Sequence, residues 1–364
     1  MPTSIPPFVH EALPSRVVFG AGSLQRLPQE IDKLGVTRAL VLCTPEQRAI
    51  GADVVVMLGA RSAGVFDGAV MHVPVAVAEE ARDKARRLHV DCCVAIGGGS
   101  TTGLAKAIAL TSGLPILAIP TTYAGSEMTP IWGLTEGGVK ETGRDILVLP
   151  KTVIYDPALT TSLPVALSVT SGINAIAHCV EALYSHDANP IVSLIAEEGI
   201  RALAAGLPQI VKRPDDIDAR SRALYGAWLG GVSLGSVGMA LHHKLCHTLG
   251  GTFSLPHAET HTVVLPHAVA YNAAAAPEQI ERVARALGVG SAAEGLYDLA
   301  ASLGAPVSLE SLGMRREQLN HAADLAVQNP YYNPRTVTRD GIRVLLENAF
   351  DGRRPMTGRS RLLV

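Results

Sequence analysis

The chain has 364 residues, 48% of them hydrophobic, and a formal net charge of −2 at pH 7. This composition excludes a disordered chain, and the charge excludes a general basic field that would hold nucleic acid or an anionic membrane. No apolar run reaches the ~18 residues that a membrane span requires. Because the first ten residues lack the parts of a signal peptide and the five cysteines form no C-x-x-C pair, we expect a cytoplasmic protein.

The first half of the chain alternates short apolar runs with helical segments, which predicts a doubly wound, mostly parallel sheet in an α/β domain. The expected strands are Val17–Phe19, Ala39–Cys43, Val54–Leu58, Asp91–Ile96, Pro115–Ile119, Ile146–Leu149 and Thr152–Tyr155. The expected helices are Leu24–Leu34, Glu79–Leu88 and Thr102–Leu110. The Gly/Ala-rich segment Gly51–Gly68 is hard to assign.

The second half differs in amino-acid composition and in the spacing of its apolar residues. After Asp156-Pro157, β-branched runs give way to Ala, Leu and Glu at helical spacing. The expected helices include Val169–Tyr184, Ile191–Ala205, Ala219–Leu234 and Gln279–Leu287. We therefore predict two domains, an α/β domain over residues 1–158 and an all-helical domain over residues 159–364. The basic tail Gly352–Val364 is expected to fray.

Two polar loops follow neighbouring predicted strands. The first is Gly97-Gly98-Gly99-Ser100, where glycines let the backbone approach an anion and a helix N-terminus offers free N–H groups. Its spacing is not G-x-G-x-x-G, so a simple tight turn remains the alternative. The second loop, Pro120–Glu127, contributes Thr121, Thr122 and Ser126. Because carboxyl ends of parallel strands gather ligands, we expect these loops to hold a dinucleotide.

Four further residues bear on the nucleotide. Thr44 follows the predicted strand Ala39–Cys43 and is a candidate contact, whereas Arg48 is placed to meet a 2′-phosphate. No acidic residue is clearly poised for a ribose diol, although Glu46 is close, so the choice between NADH and NADPH stays open. Lys140 is a candidate cofactor contact by its position before Asp156-Pro157, with a solvated surface lysine as the alternative.

Six of the 12 histidines fall in one stretch, at His242, His243, His247, His257, His261 and His267. Residues four apart on a helix share one face, and three such pairs are present: Asn174 with His178, His243 with His247, and His257 with His261. The last pair follows Pro256, which favours a helix start, whereas the preceding helix is expected to stop at Gly250-Gly251. We expect the three pairs to converge on one cleft, with His267 as a structural residue.

The chemistry of this cluster depends on Asn174. Three imidazoles with a carboxylate would form an Fe²⁺ or Zn²⁺ site, but a neutral amide supplies no charge and binds such ions weakly. Without a metal, imidazoles hold carboxylates, polarise a carbonyl and deliver protons. The residues alone therefore leave a weakened metal site and a metal-free site both open.

These motifs resemble the iron-containing alcohol dehydrogenase superfamily. The similar segments span most of the chain in the expected order and are Phe19–Leu24, Gly97–Ser100 with Ala105-Lys106, Pro120–Thr122, Asp156–Leu159, His243–His257 and Leu265–His267. Two positions depart from the superfamily pattern. Gly103 replaces an aspartate of the glycine motif, and Asn174 replaces the aspartate among metal ligands that otherwise align with His178, His247 and His257.

The segments Ser171–Tyr184, His242–Gly251 and Leu255–His261, together with Tyr123, are similar to the maleylacetate reductase branch. This resemblance implies a homodimeric oxidoreductase that uses NADH or NADPH, without a metal, to reduce the C=C bond of maleylacetate in bacterial aromatic catabolism. The partner is then a small dicarboxylate. Residues expected to stabilise the enolate oxygen or deliver a proton are Tyr123, His243, His247 and His257. Residues expected to bind the substrate carboxylates are Asn174, His178, Lys244 and His261.

Three alternatives remain open. A metal-dependent alcohol or polyol dehydrogenase of the same superfamily would contain stoichiometric metal and oxidise simple alcohols. A lyase that resembles dehydroquinate synthase would need bound zinc. A catalytically inactive nucleotide sensor would bind NADH without turnover, although it would have no use for the histidine cluster.

Overall fold

The structure, a computed structural model, describes residues 8–13, 15–137 and 139–356, apart from the side chains of Val139 and Lys140. An α/β part comes first and a helical part follows it, so the predicted fold class is confirmed.

Six parallel strands form the central sheet of the first part. They are β1 (Arg16–Phe19), β2 (Ala39–Leu42), β3 (Ser62–Phe66), β4 (Cys92–Gly97), β5 (Ile116–Pro120) and β8 (Thr152–Tyr155), in the spatial order β1-β8-β5-β4-β2-β3. The remaining strands, β6 (Ile131–Glu136) and β7 (Val139–Arg144), form an antiparallel hairpin. The inner strands are buried along their whole length, which explains their unbroken apolar sequences.

Helices cover both faces of this sheet. They are α1 (Leu27–Lys33), α2 (Arg48–Leu58), α3 (Val75–Arg87) and α4 (Gly99–Ser112). Successive strand residues point to opposite faces, so Val41 belongs to the core with α1 and α2 whereas Leu42 belongs to the core with α3 and α4. This doubly wound arrangement brings the turns after β2, β4 and β5 to the carboxyl edge of the sheet.

The second part is built from nine helices within the described residues. They are α5 (Val165–Tyr184), α6 (Pro190–Lys212), α7 (Ile217–Ser236), α8 (Leu241–Phe253), α9 (His257–Asn272), α10 (Pro277–Leu287), α11 (Ala292–Ser302), α12 (Gln318–Ala326) and α13 (Arg339–Phe350). Helix α5 is long and apolar enough to cross a membrane, and the bent pair α7 and α8 passes the same test together. Because 78% of the most apolar stretch of α5 is buried, we interpret it as a core helix.

Some predicted elements were wrong. Val54–Leu58 is the last turn of α2, where Val54 and Leu58 are buried and Val56 is 79% exposed, as expected for one apolar helix face. Ile146–Leu149 contains a short 3₁₀ turn rather than a strand, because the Asp145 side chain accepts a hydrogen bond from the Leu147 N–H. Strands β3, β6 and β7 were not predicted.

Helix α8 does not stop at Gly250-Gly251 but continues to Phe253, and Ser254 follows in the left-handed region at φ 56°. Residues 357–364 of the basic tail lie outside the described residues. The domain boundary at residues 158 and 159 stays a prediction. The strand-to-helix change lies near it, although one apolar core joins Val153 and Tyr155 to the helices of the second part.

Candidate active site

The glycine loop begins where β4 ends. Gly97 has φ 150°, a conformation that a residue with a Cβ rarely adopts, and Gly98 is the N-cap of α4. A Cβ on Gly97 would lie 2.4 Å from Thr101 Oγ1 and 2.5 Å from Gln47 Oε1. Gly99 and Ser100 occupy the first turn of α4, whose N–H groups have no intrahelical acceptor. This bare backbone at a helix N-terminus is a cradle that fits a phosphate group.

The two predicted loops lie side by side. The Gln47 side chain donates a hydrogen bond to Thr121 Oγ1 at 2.8 Å. A Cβ on Gly98 would lie 3.0 Å from Thr122 Cγ2, and one on Gly99 would lie 3.6 Å from the Cβ of Ala124. A continuous surface therefore runs from the end of β2 past β4 and β5, as a dinucleotide that crosses a parallel sheet requires.

The other predicted cofactor residues are placed less directly. Thr44 is the N-cap of the short 3₁₀ turn after β2. Arg48 forms an ion pair with Asp67 at 3.3 Å and is largely exposed. Lys140 pairs with Thr135 through the β6–β7 backbone, but its side chain lies outside the described residues.

Ser126 is tied to α4 by Lys106, a residue to which the sequence pattern assigned no definite role. Lys106 Nζ is fully buried and lies 2.7 Å from the carbonyl oxygens of Ser126, Thr129 and Ile131. Burial lowers the pKa of Lys106 to about 7, while nearby Glu127 opposes the shift. We interpret Lys106 as a structural residue whose hydrogen bonds hold the second loop against α4.

The second loop reaches the histidine cluster through Gly125. Gly125 has φ 76°, and a Cβ there would lie 3.0 Å from Gly231 Cα on α7 and 3.5 Å from His178 Nδ1 on α5. Glycines on both sides let the two backbones touch. The end of the candidate nucleotide loop thus lies next to the first imidazole of the cluster.

Five imidazoles form one continuous group, which we call the histidine cluster: His178, His243, His247, His257 and His261. Ring centroids are 5.0 Å apart for His178 and His243, 4.9 Å for His243 and His261, and 4.3 Å for His257 and His261. Helices α5, α8 and α9 each contribute one face, because residues four apart project together. The structure therefore brings the five histidines of the three predicted pairs together.

The cluster has a buried floor and an exposed mouth. His178, His243 and His261 are at most 5% exposed, whereas His247 and His257 are exposed. Asn174 is buried one turn before His178, and its Oδ1 atom has no hydrogen-bond partner among the described atoms. Lys244 is exposed on α8, and its contact with substrate stays a prediction.

Burial keeps the floor neutral. It lowers the pKa of His178, His243 and His261 well below 6.5, and neighbouring imidazoles lower these values further. Neutral rings with unpaired nitrogens can accept protons and hydrogen-bond an anionic or carbonyl-bearing ligand.

The donor set around Asn174 lacks the carboxylate that would complete an Fe²⁺ or Zn²⁺ site with three imidazoles. Asn174, His178, His247 and His257 bring no negative charge to a divalent cation, and an amide oxygen is a poor partner for Fe²⁺ or Zn²⁺. A ring nitrogen from each of His242, His243 and His261 also lies within 4.8 Å of the others. In that group, His242 Nε2 meets the His261 carbonyl and His243 Nδ1 meets Glu181, whereas His243 Nε2 and both ring nitrogens of His261 have no hydrogen-bond partner among the described atoms.

Glu181 is a site residue that sequence reasoning missed. It is fully buried on α5, and its carboxylate lies 2.7 Å from His243 Nδ1. Burial raises the pKa of Glu181, and three backbone N–H donors and the nearby His242 oppose the shift. The signal was present in the sequence, because Glu181 follows His178 by three residues on the same helix face.

Tyr123 has surroundings different from those expected. Its ring is buried in the core that contains the apolar face of α5, and its hydroxyl accepts a hydrogen bond from Arg220 at 3.4 Å. Arg220 also donates to Ser168 Oγ at 2.7 Å. We therefore remove Tyr123 from the proton-transfer candidates. His267 is buried, with its pKa lowered to about 4, and its structural role stays a prediction.

Residues 14–157 match the family description iron-containing alcohol dehydrogenase, and residues 168–350 match the C-terminal part of the Fe-containing alcohol dehydrogenase family. The chain belongs to the iron-containing alcohol dehydrogenase family. The predicted resemblance is thereby confirmed at the level of the superfamily.

Relatives within this family point to one branch. A maleylacetate reductase from Burkholderia cepacia is 65% identical, with 96% of this chain and 99% of the relative covered. One from Sphingobium indicum is 59% identical over the same shares. The crystal structure of maleylacetate reductase from Agrobacterium tumefaciens matches with a TM-score of 0.94 at 54% identity, over 96% of this chain and all of that one. The predicted similarity to the maleylacetate reductase branch is confirmed.

Proposed function

We propose that this chain reduces the C=C bond of maleylacetate (4-oxohex-2-enedioate) to give 3-oxoadipate, with NADH or NADPH as the hydride source. The observation that carries this proposal is the close approach of the second loop to His178, where a Cβ on Gly125 would lie 3.5 Å from Nδ1, so that a nucleotide cradle adjoins a pocket of neutral imidazoles. The names of the 55–65% identical relatives support the same substrate.

The cofactor cradle in this proposal consists of Gly97, Gly98, Gly99 and Ser100, with Thr44, Thr121, Thr122, Ser126 and Lys140 as further contacts. When bound, the nicotinamide cofactor supplies a hydride. The glycine loop would hold the pyrophosphate, and the second loop would hold the end nearest His178.

The substrate chemistry defines what the cluster must do. The C4 ketone is conjugated with the alkene, so C2 accepts the hydride and negative charge develops on the ketone oxygen. Hydrogen-bond donors placed at that oxygen stabilise the enolate. A proton must then reach C3, which restores the ketone. We propose His243, His247 and His257 for these two tasks.

The two substrate carboxylates carry negative charge into a pocket floor whose histidines are neutral. A doubly negative ligand beside His178 and His261 favours their imidazolium forms, because an opposite charge raises the pKa of a histidine. We therefore expect proton uptake when the dianion binds. Asn174 and Lys244 would complete the carboxylate contacts, the first as an amide donor and the second as a cation.

The proposed reaction proceeds without a metal. The support is the uncharged donor set around Asn174, where the superfamily places an aspartate. We also propose that the protein works as a homodimer in the bacterial cytoplasm during aromatic catabolism, and that residues 1–158 and 159–364 act as cofactor and substrate domains.

One assay tests the proposal. Purified protein is mixed with maleylacetate and either NADH or NADPH, nicotinamide absorbance is followed, and metal content is measured on the same sample. We expect turnover that does not scale with metal. Oxidation of simple alcohols or polyols by metal-loaded protein, without maleylacetate reduction, would instead assign the chain to the metal-dependent dehydrogenases. Cofactor binding without turnover would indicate a sensor.

A further inference from the structure

Behind the histidine cluster lies a buried carboxylate that joins the start of α8 to a ring of the pocket floor. Glu181 Oε1 accepts a hydrogen bond from the His242 backbone N–H at 2.7 Å. Glu181 Oε2 accepts one from the Ala240 N–H at 3.0 Å and lies 2.7 Å from His243 Nδ1. Both backbone N–H groups are otherwise unpaired donors at a helix start, for which a carboxylate is a natural acceptor.

His242 is held in one tautomer by its own partner. Its Nε2 lies 2.9 Å from the carbonyl oxygen of His261, and a carbonyl only accepts, so Nε2 carries the hydrogen. Burial lowers the pKa of His242 to about 4, so the ring is neutral at neutral pH and its Nδ1 has a bare lone pair.

The lone pair on His242 Nδ1 determines which nitrogen of His243 carries a hydrogen. His242 Nδ1 lies 3.4 Å from His243 Nδ1. Two nitrogen lone pairs that face each other would repel, so a hydrogen is bonded to His243 Nδ1 and points between the two rings. The same hydrogen serves Glu181 Oε2, which is the closer acceptor. Both oxygens of Glu181 accept backbone N–H groups, which favours the ionised carboxylate, so both neighbours of His243 Nδ1 are acceptors.

We propose that Glu181, supported by His242, is a positioning residue that holds His243 with a hydrogen on Nδ1 and a lone pair on Nε2. This proposal rests on the proposed reduction of maleylacetate. His243 Nε2 is buried and has no hydrogen-bond partner among the described atoms, so it is free to act on a ligand. The opposite tautomer would leave Nδ1 without a hydrogen for Glu181.

The positioning matters for the proton step. The proton taken up from solvent with the dianion binds the Nε2 lone pair, because the charge of the bound substrate opposes the effect of burial, and the resulting imidazolium transfers it to C3 of the enolate. The Nε2–H bond breaks as the C3–H bond forms, the enolate electrons form that bond, and His243 returns to its neutral form. Throughout this cycle the Nδ1 hydrogen stays on His243, because Glu181 keeps accepting from it.

The tautomer can be measured without turnover. We would record ¹⁵N NMR spectra of the whole protein with ¹⁵N-labelled histidine, and assign the His243 signals by their loss in the His243→Gln variant. We expect Nδ1 of His243 to be of the protonated type and Nε2 of the bare type. The reverse assignment would overturn the proposal even if maleylacetate is reduced. Failure of the wild-type protein to reduce maleylacetate would reject the proposed function and leave the tautomer result unaffected.

The Glu181→Gln variant tests the consequence for catalysis. Its amide keeps one acceptor oxygen where the carboxylate offered two, so His243 loses its anionic partner. We expect kcat to fall about 10–100-fold, with KM for maleylacetate little changed. The matched control is Glu30→Gln, which removes another fully buried carboxylate. Glu30 lies on α1 in the α/β part and pairs with Arg16 and Lys33. Unchanged kcat per folded Glu181→Gln molecule would count against the proposal, and the wild-type NMR assignment decides if that variant does not fold.

Discussion

The imidazole of His178 on α5 stacks on that of His243 on α8, with ring centroids 5.0 Å apart and planes inclined by 29°. Burial lowers the pKa of His178, and the neighbouring His243 ring lowers it further, because two charged imidazoles at this distance would repel. The stack lies where the second loop approaches the cluster. This arrangement makes the role of each ring separable by mutation.

Replacing His243 should remove the main proton donor. We expect His243→Gln to lower kcat for maleylacetate reduction by about 10²–10⁴-fold, the usual contribution of a general acid. Circular dichroism and thermal melting would establish that the variant is folded. Turnover equal to that of the wild type would remove His243 from the mechanism.

Removal of metal should leave activity in place. The donors at Asn174, His178, His247 and His257 carry no negative charge, so we expect dialysis against a chelator to change neither kcat nor KM. Activity and metal content would be measured before and after dialysis. If activity is lost and returns only with Fe²⁺ or Zn²⁺, the metal-free mechanism is wrong.

A single substitution should create affinity for metal. Asn174→Asp places a carboxylate one turn before His178, the ligand type that the superfamily uses at this position. We expect Zn²⁺ affinity to rise by about tenfold or more, measured by calorimetry on chelator-treated protein. Asn174→Ala serves as the control for loss of the amide alone. Equal Zn²⁺ affinity in both variants would mean that these residues do not form one ligand set.

The glycine cradle predicts a cofactor defect. A Cβ on Gly97 would lie 2.4 Å from Thr101 Oγ1, and the residue has φ 150°. We expect Gly97→Ala to raise KM for NADH and to lower the free energy of unfolding by about 1–3 kcal/mol. Gly290→Ala is the matched control, since a Cβ there would meet nothing within 4 Å. A normal KM for NADH in Gly97→Ala would argue against a phosphate site at this turn.

Acid should destabilise the fold through its buried histidines. Burial lowers the pKa of His242 and of His267 from 6.5 to about 4. Between these values the unfolded chain binds more protons than the folded chain, so the free energy of unfolding falls as the pH is lowered from 6.5 towards 4. The loss per histidine is at most about 1.4 kcal/mol per pH unit, and neither residue contributes above this window.

Urea denaturation at a series of pH values across this window measures the slope. The His267→Gln variant removes one titrating group and should show a shallower dependence. Identical slopes in the variant and the wild type would show that His267 is not the buried, neutral ring described above.

The sequence pattern predicted the elements whose burial is uniform. Strand β4 and helix α5 were correctly placed, because a fully buried strand and a long helix that is buried along most of its length leave clear signals. Strand β3, an edge strand whose residues other than Phe66 are only partly buried, and the β6–β7 hairpin have no such pattern. Val54–Leu58 was misread because a short apolar run fits a strand or a helix equally well.

The candidate site was predictable where it depended on spacing within one helix, as with His243 and His247. It was not predictable where distant segments meet. The contact of Glu181 with His243 spans 62 residues, and that of Tyr123 with Arg220 spans 97. The surroundings of Tyr123 were not foreseen, because nothing local indicates that an arginine from α7 would donate to its hydroxyl.

Asn174 Oδ1, His178 Nδ1 and both ring nitrogens of His261 have no hydrogen-bond partner within the described part of the chain, and this has a thermodynamic consequence. Desolvated polar atoms without partners weigh against the folded state, and a ligand that supplies partners removes that penalty only in the folded state. Such a ligand stabilises the protein by about 2.7 kcal/mol at 100 times its Kd. Heat resistance in a thermal-shift screen should therefore rank dicarboxylates by fit to the pocket, including saturated acids that accept no hydride.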